Sequence, residues 1–203
     1  MFTGIISAVG VVESAEGGEN LRHLRIAASY PAESIALGAS IACNGICLTV
    51  TAHGAKNTGG WFEVDLGAET LGRTTARQWQ HGTRLNLERA LRLGDELSGH
   101  MVAGHADGIA EIIAVADFEG MRRIAFKAPH DLARFIAEKG SVALDGTSLT
   151  VNSVEGDRFS VLLIPYTLKV TAWGSVVVGT KVNLEVDLLA RYAARLAEAA
   201  PTP

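Results

Sequence analysis

The chain has 203 residues, with 18 Lys and Arg against 22 Asp and Glu, a net charge of −4 and an apolar fraction of 48%. That length holds one large domain or two of about 100 residues, and that apolar content fills a real core, which excludes global disorder. No basic run points to nucleic acid or an anionic membrane, no apolar run reaches the roughly 20 residues of a span, and two cysteines are too few for a disulfide framework.

The opening stretch, MFTGIISAVGVV, is apolar but has neither a basic leader region nor a small-residue cleavage site. It reads as a buried strand rather than a signal peptide, and the chain as soluble and cytoplasmic. Period-two alternation predicts strands near 3–13, 20–28, 39–43, 46–52, 60–66 and 83–88, with a helical stretch, ETLGRTTARQ, after the fifth. The succession returns near 102–115, 121–127, 141–144, 147–154, 158–164 and 180–187. A second helical stretch, HDLARFIAEKG (130–140), precedes the second tight hairpin and ends on a C-cap glycine, Gly140. Finally DLLARYAARLAEAA sets Leu189, Tyr192, Ala193 and Leu196 on one stripe, an amphipathic helix belonging to neither half.

This succession is an internal duplication. SIACNGICLTV (40–50) and SVALDGTSLTV (141–151) share six of eleven positions, with Asn44-Gly45 becoming Asp145-Gly146 and Cys47 becoming Ser148. GTRLNLE (82–88) and GTKVNLE (179–185) share five of seven, and FEVDLGAETL (62–71) aligns with FSVLLIPYTL (159–168). The unit is longer than the roughly 20–50 residues of a solenoid repeat, so it is a duplicated domain. Six short strands per unit point to a small closed antiparallel barrel, because closure removes exposed edges. The expected fold is therefore all-β: two tandem six-stranded antiparallel barrels plus a C-terminal amphipathic α-helix. Domains are expected over 1–97 and 98–187, with the helix and tail over 188–203.

Asn-Gly and Asp-Gly between apolar strands signal two-residue type I′ turns. Such a turn opposes Cys43 to Ile46, Ala42 to Cys47 and Ser40 to Thr49. One face then carries Ser40, Ala42, Cys47 and Thr49, and the other Ile41, Cys43, Ile46, Leu48 and Val50. The second face is core, with Cys43 a packed thiol, and the two cysteines on opposite faces do not pair. The repeat matches the first face with Ser141, Ala143, Ser148 and Thr150. Neither outer face has the long charged side chains that usually cover a solvated strand. Each is open to a flat ligand, one per barrel.

MFTGII, NGICLTV, ETL followed by Arg73-Thr74-Thr75, NLERAL, SGHMVAGHADG, EKGSVALDGTSLTV, LIPYTL and VNLEVD together resemble riboflavin synthases of the alpha-chain type, from Met1 to about Leu196. The resemblance implies Greek-key barrels with lumazine-binding repeats, and association through the C-terminal helix into a homotrimer. It implies a transferase of riboflavin biosynthesis that dismutates two molecules of 6,7-dimethyl-8-ribityllumazine. One gives a four-carbon unit to the other, producing riboflavin and 5-amino-6-ribitylamino-2,4-pyrimidinedione with no metal or redox cofactor. It implies nothing about association with lumazine synthase.

Carried over position by position, the family's ligand-contacting segments fall here on Gly4, Ile5 and Ile6; Cys47, Leu48 and Thr49; and Asp65, Leu66, Gly67, Ala68, Glu69 and Thr70. In the second unit they fall on Gly104, His105 and Ala106; Lys139; Ser148, Leu149 and Thr150; and Leu162, Leu163, Ile164, Pro165, Tyr166 and Thr167. Phe2, Ser40 and Asp187 also match. The resemblance departs at Ala106, Ser98 and Tyr166, where the family more often has Val or Ile, Gly, and His or Glu.

Hydroxyls such as Thr49 and Thr150 suit a ribityl chain, and backbone groups suit the ring edge. The reaction removes a proton from one C7 methyl and adds at C7 of the other ring. His105 is the expected general acid/base, and its repeat counterpart is Ile5. His100, five residues before it, lacks metal-site spacing, so no metal is expected. Cys47 and Ser148 mark two half-sites whose chemistry must differ, since identical molecules play opposite roles. Cys47 as nucleophile, proton relay or filler stays open, and Asp187 either orients His105 or Ser148 or caps the final helix. Two rivals remain: a non-catalytic lumazine- or flavin-binding protein of the same fold, and a reductase flavin domain, which needs a nucleotide-binding partner that no G-x-G-x-x-G supplies.

Overall fold

The computed structural model describes residues 1–199, so residues 200–203, the end of the expected tail, lie outside it. The first barrel is built from β1 (Ala8–Gly17), β2 (Leu21–Ala28), β3 (Ser40–Cys43), β4 (Ile46–Ala55), β5 (Gly60–Gly67) and β6 (Arg84–Arg89). The second is built from β7 (Gly108–Phe118), β8 (Met121–Lys127), β9 (Ser141–Leu144), β10 (Thr147–Glu155), β11 (Arg158–Leu163) and β12 (Lys181–Val186). Each closes on itself, the first in the order β1-β2-β5-β4-β3-β6 and the second in the equivalent order. Both are filled by alternate residues, such as Phe62, Val64 and Leu66 in β5 and Phe159, Val161 and Leu163 in β11. Register shifts recur at equivalent places, between Val12 and Ser14 and between Ile112 and Ala114. One extra residue there sharpens the local bend, which helps so short a sheet close.

Helices α1 (Ala68–Arg73) and α3 (Pro165–Val170) follow the fifth strand of each unit. The single helical stretch expected over 69–78 is instead broken at Thr74, whose extended backbone ends α1. The Thr74 hydroxyl then accepts from the Ala76 N–H to start a 3₁₀ turn, and Thr171 repeats the device with Trp173. The helix expected over 130–140 is only α2 (His130–Ala133). The residue with positive φ there is Lys139 at 63°, not Gly140, and it matches Gly38 at 76° in the first unit. Helix α4 (Leu188–Ala199) forms as expected. It is tied to the second barrel by Arg191 on Asp107, 2.7 Å, and Arg134 on Glu198, 3.0 Å. Among the described residues no helix is long and apolar enough to cross a membrane.

The strands expected from residues 3 and 102 begin later, at Ala8 and Gly108. Gly4 and Gly104, both at φ 77°, take the chain out of extended geometry. Residues 2–6 and 102–106 therefore lie outside the strands of their own barrels, and a single bridge pairs Phe2 with Val102.

The hairpin register is as expected, with Cys43 opposite Ile46, Ala42 opposite Cys47 and Ser40 opposite Thr49. Asn44-Gly45 and Asp145-Gly146 have positive φ at both positions. The two turns also pack tip to tip. A Cβ on Gly45 would lie 2.7 Å from the Gly146 nitrogen, and one on Gly146 just as close to Gly45. The asparagines of the repeated NLE motif seal this junction. Asn86 donates its N–H to Asn44 Oδ1 and its amide to the Asp145 carbonyl, while Asn183 does the converse with Asp145 Oδ1 and the Asn44 carbonyl. Each side-chain carbonyl accepts an N–H of the other unit: Ala172 for Asn86, Thr75 for Asn183. The junction corrects one expectation about the outer faces. Ala42 and Ala143 do not face a ligand but are buried with Phe2 and Val102 between the barrels.

Candidate active site

Two half-sites flank the junction, and each is built from both units. In the first, Cys47 and Thr49 lie on β4 beside Ser40 on β3. The crossing segment of the second unit lies over them, its Gly104 carbonyl accepting the Cys47 N–H at 2.7 Å. In the second, Ser148 and Thr150 lie on β10, and the Gly4 carbonyl of the first unit accepts the Ser148 N–H at 2.8 Å. Neither glycine can carry a side chain. A Cβ on Gly4 would stand 2.6 Å from Ser148 Cβ, and one on Gly104 2.8 Å from Cys47 Cβ. The contact requires glycine twice over, for space and for positive φ.

The crossing makes the half-sites chemically unlike. Ile5, half exposed, follows Gly4 on the segment over Ser148, and exposed His105 follows Gly104 on the segment over Cys47. Ser148 Oγ is hydrogen-bonded not to His105 but to His100 Nδ1, at 2.7 Å. In the sequence His100 lacks metal-site spacing, and nothing there links it to Ser148. Its N–H donates to the Thr3 carbonyl, and Gly99 before it leaves no room for a Cβ, which would fall 2.0 Å from that same oxygen. Burial pushes the His100 pKa down, with the Asp187 charge acting the other way. A neutral imidazole with Nδ1 free accepts the Ser148 proton. Asp187 itself is the helix cap: its Oδ1 accepts the Leu189 N–H at 2.8 Å. Its charge bears on His100 rather than by a hydrogen bond on His105 or Ser148.

The remaining candidates divide by side-chain exposure. Phe2, Leu48, Leu66, Leu149 and Leu163 are buried, so only their backbones are available to a ligand. Thr49, Thr150, Gly67, Ala68, Glu69, Ile164, Pro165 and Tyr166 are exposed, and Ile6, Thr70, Ala106, Leu162 and Thr167 half-buried. Asp65 at the end of β5 is held by His23 Nδ1 at 2.6 Å, where the second unit has Leu162 opposite Arg123. Glu69 is paired with Arg73. Lys139 holds a positive φ that its counterpart Gly38 adopts freely, a conformation costing a non-glycine residue about 1 kcal/mol. Cys43 is fully buried in the core, and both cysteines are free. Among the described residues no group of three or more His, Cys, Asp or Glu converges as a metal site requires.

Duplicated barrels with paired, unlike half-sites define a protein built from two lumazine-binding units, and comparison with known proteins bears this out. The profile of the lumazine binding domain matches residues 3–90 and again 103–187. The riboflavin synthase of Brucella abortus (strain 2308) is 54% identical over 199 residues, covering 98% of either chain. That of Mycobacterium bovis (strain ATCC BAA-935 / AF2122/97) is 42% identical over 98% of this chain and all of its own. The chain belongs to the riboflavin synthase family. Solved structures of LumP share the fold: its riboflavin complex has a TM-score of 0.80 at 24% identity, over 92% of this chain and 99% of LumP. Its complex with 6,7-dimethyl-8-(1′-D-ribityl)lumazine has 0.79 at 22%. At that identity the likeness establishes fold alone. The much closer full-length sequence likeness is to synthases, which disfavours the non-catalytic reading.

Proposed function

We propose that this chain catalyses the dismutation of two 6,7-dimethyl-8-ribityllumazine molecules to riboflavin and 5-amino-6-ribitylamino-2,4-pyrimidinedione. The observation that carries the reading is the unlike pair of half-sites, with Ser148 bonded to His100 at one hairpin and Cys47 under the segment that carries His105 at the other. The reaction needs that difference, because two copies of one molecule act as donor and acceptor. The Ser148–His100 pair takes the proton from the C7 methyl of the lumazine on the second hairpin, leaving a carbanion that attacks C7 of its partner. His105 and Cys47 serve the first half-site as proton donor and acceptor while the carbon–carbon bonds form and the pyrimidinedione leaves. Thr49 and Thr150 bind ribityl hydroxyls, and backbone of residues 65–67 and 162–164 pairs with the ring edges. Holding two rings face to face supplies about 7 kcal/mol or more of the barrier through proximity alone.

The working site lies between the first barrel of one chain and the second barrel of a neighbour in a cytoplasmic homotrimer. Support comes from α4, whose Leu189, Tyr192 and Leu196 are 64%, 60% and 72% exposed, an apolar stripe that association would bury. The test is a turnover assay without nicotinamide and with EDTA, run over a dilution series with sedimentation of the same samples. Two lumazines consumed per riboflavin, with activity tracking the trimer, is the expected result. A ratio near one, or full activity in a monomer, would overturn the corresponding half of the proposal.

A further inference from the structure

The two glutamates of the repeated NLE motif are buried, Glu88 at 6% exposure and Glu185 at 3%. Burial raises both pKa values, and hydrogen bonds to the carboxylates act against that rise. Those bonds all come from the crossing segments. Glu88 accepts the N–H and hydroxyl of Thr3 and the N–H of Gly4, at 2.7, 2.6 and 2.9 Å. Glu185 accepts the N–H groups of Ala103, Gly104 and His105, at 2.6, 2.9 and 2.9 Å. The third contact differs because Ala103 has no hydroxyl. In the first unit the Ile5 N–H goes to Thr3 Oγ1 at 3.1 Å, whereas the His105 N–H reaches the carboxylate directly.

Each segment so held is the one that lies on the other unit's hairpin. Gly4 is fixed by Glu88 of its own unit and accepts from Ser148, while Gly104 is fixed by Glu185 and accepts from Cys47. We infer that Glu88 and Glu185 are positioning residues acting crosswise: Glu88 sets the half-site at Ser148, and Glu185 sets the half-site at Cys47 together with the backbone of His105. A glutamine keeps one acceptor oxygen but turns an amide N–H₂ toward backbone N–H groups, so it releases part of the segment and leaves the β6 or β12 ladder in place. The inference rests on reading the two hairpins as half-sites, yet its test needs no turnover.

The native Cys47 thiol reports on its own half-site, because Cys43 is fully buried and burial pushes its thiol pKa up, which keeps it unreactive. Glu185→Gln is expected to speed alkylation of Cys47 by iodoacetamide about fivefold or more, and Glu88→Gln to leave it within about twofold. In a Cys47→Ser/Ser148→Cys background the pattern inverts, with the introduced thiol responding to Glu88→Gln and not to Glu185→Gln. If either glutamine variant does not fold, the aspartate variant, which keeps the charge and shortens the reach, takes the same measurement. Acceleration of both thiols by either variant would mean general loosening, and acceleration of neither would mean the carboxylates do not hold the segments. Either result overturns the crosswise assignment. A chain that showed the crosswise pattern but made no riboflavin would instead leave this inference standing and remove the proposed reaction.

Discussion

The two hairpins have the same backbone and different company. Register, turn type and the glycine lying across them agree between Ser40–Val50 and Ser141–Val151. What differs is a thiol against a hydroxyl, His105 against Ile5 on the crossing segment, and His100 bonded to Ser148 in the second half-site. The residue bonded to Ser148 lies between the two matched units, which end at residue 90 and resume at residue 103. A symmetric fold thus acquires one-sided chemistry from the segment that joins its two units.

The largest expected effect breaks that one-sidedness. Ser148→Ala and His100→Ala should each lower kcat by about 10²-fold or more, the usual weight of a general acid–base group, with KM changing far less. Cys47→Ser should stay within about tenfold of the parent, because the second unit already places a hydroxyl at this point of the barrel. Steady-state kinetics on the three variants decide the matter, and equal losses at Cys47 and Ser148 would make the half-sites equivalent.

A smaller effect sharpens the comparison at the turn tips, where Asn44 faces Asp145. Burial pushes the Asp145 carboxyl up to about 7, against about 3.9 for an unperturbed aspartate. Its folded-state pKa is raised, so the folded protein keeps a proton that the unfolded chain has already lost. This group's contribution therefore falls as pH rises from about 4 and levels off above about 7. Asp145→Asn, which copies the first unit, should raise stability at pH 8 by on the order of 1 kcal/mol, the gain shrinking toward pH 4. Urea unfolding at the two pH values measures it, and a pH-independent difference would place the effect elsewhere.

Much of this architecture was readable from local rules. Asn-Gly and Asp-Gly fix turn type and register within four residues, and alternation marks the strands, so both barrels and the Cys43–Cys47 face assignment follow. Alternation misleads at Phe2 to Ser7 and Val102 to Asp107, where Phe2 and Val102 are buried between the barrels rather than within one, and the positive φ of Gly4 and Gly104 interrupts the strand. The sequence also hid the crossing itself. Glu88, Glu185, Asn86 and Asn183 were visible as a repeated motif, but their partners lie up to 139 residues away. His100 is not legible in the sequence, because it has no metal-site spacing and lies between the two matched units. Its bond to Ser148 depends on Gly99 and the Thr3 carbonyl, a contact no spacing rule contains.

If His100, not His105, governs proton removal, the pH dependence of kcat/KM carries the signature of His100. Catalysis needs neutral His100, so activity should fall on the acid side as that imidazole gains a proton. The Asp187 charge holds the His100 pKa up against burial. Asp187→Asn should therefore move the acid limb to lower pH, while asparagine still caps α4. In His105→Ala the limb should stay where it is in the parent. A limb that moved with His105→Ala and ignored Asp187→Asn would assign the removal of the methyl proton to His105 instead of His100.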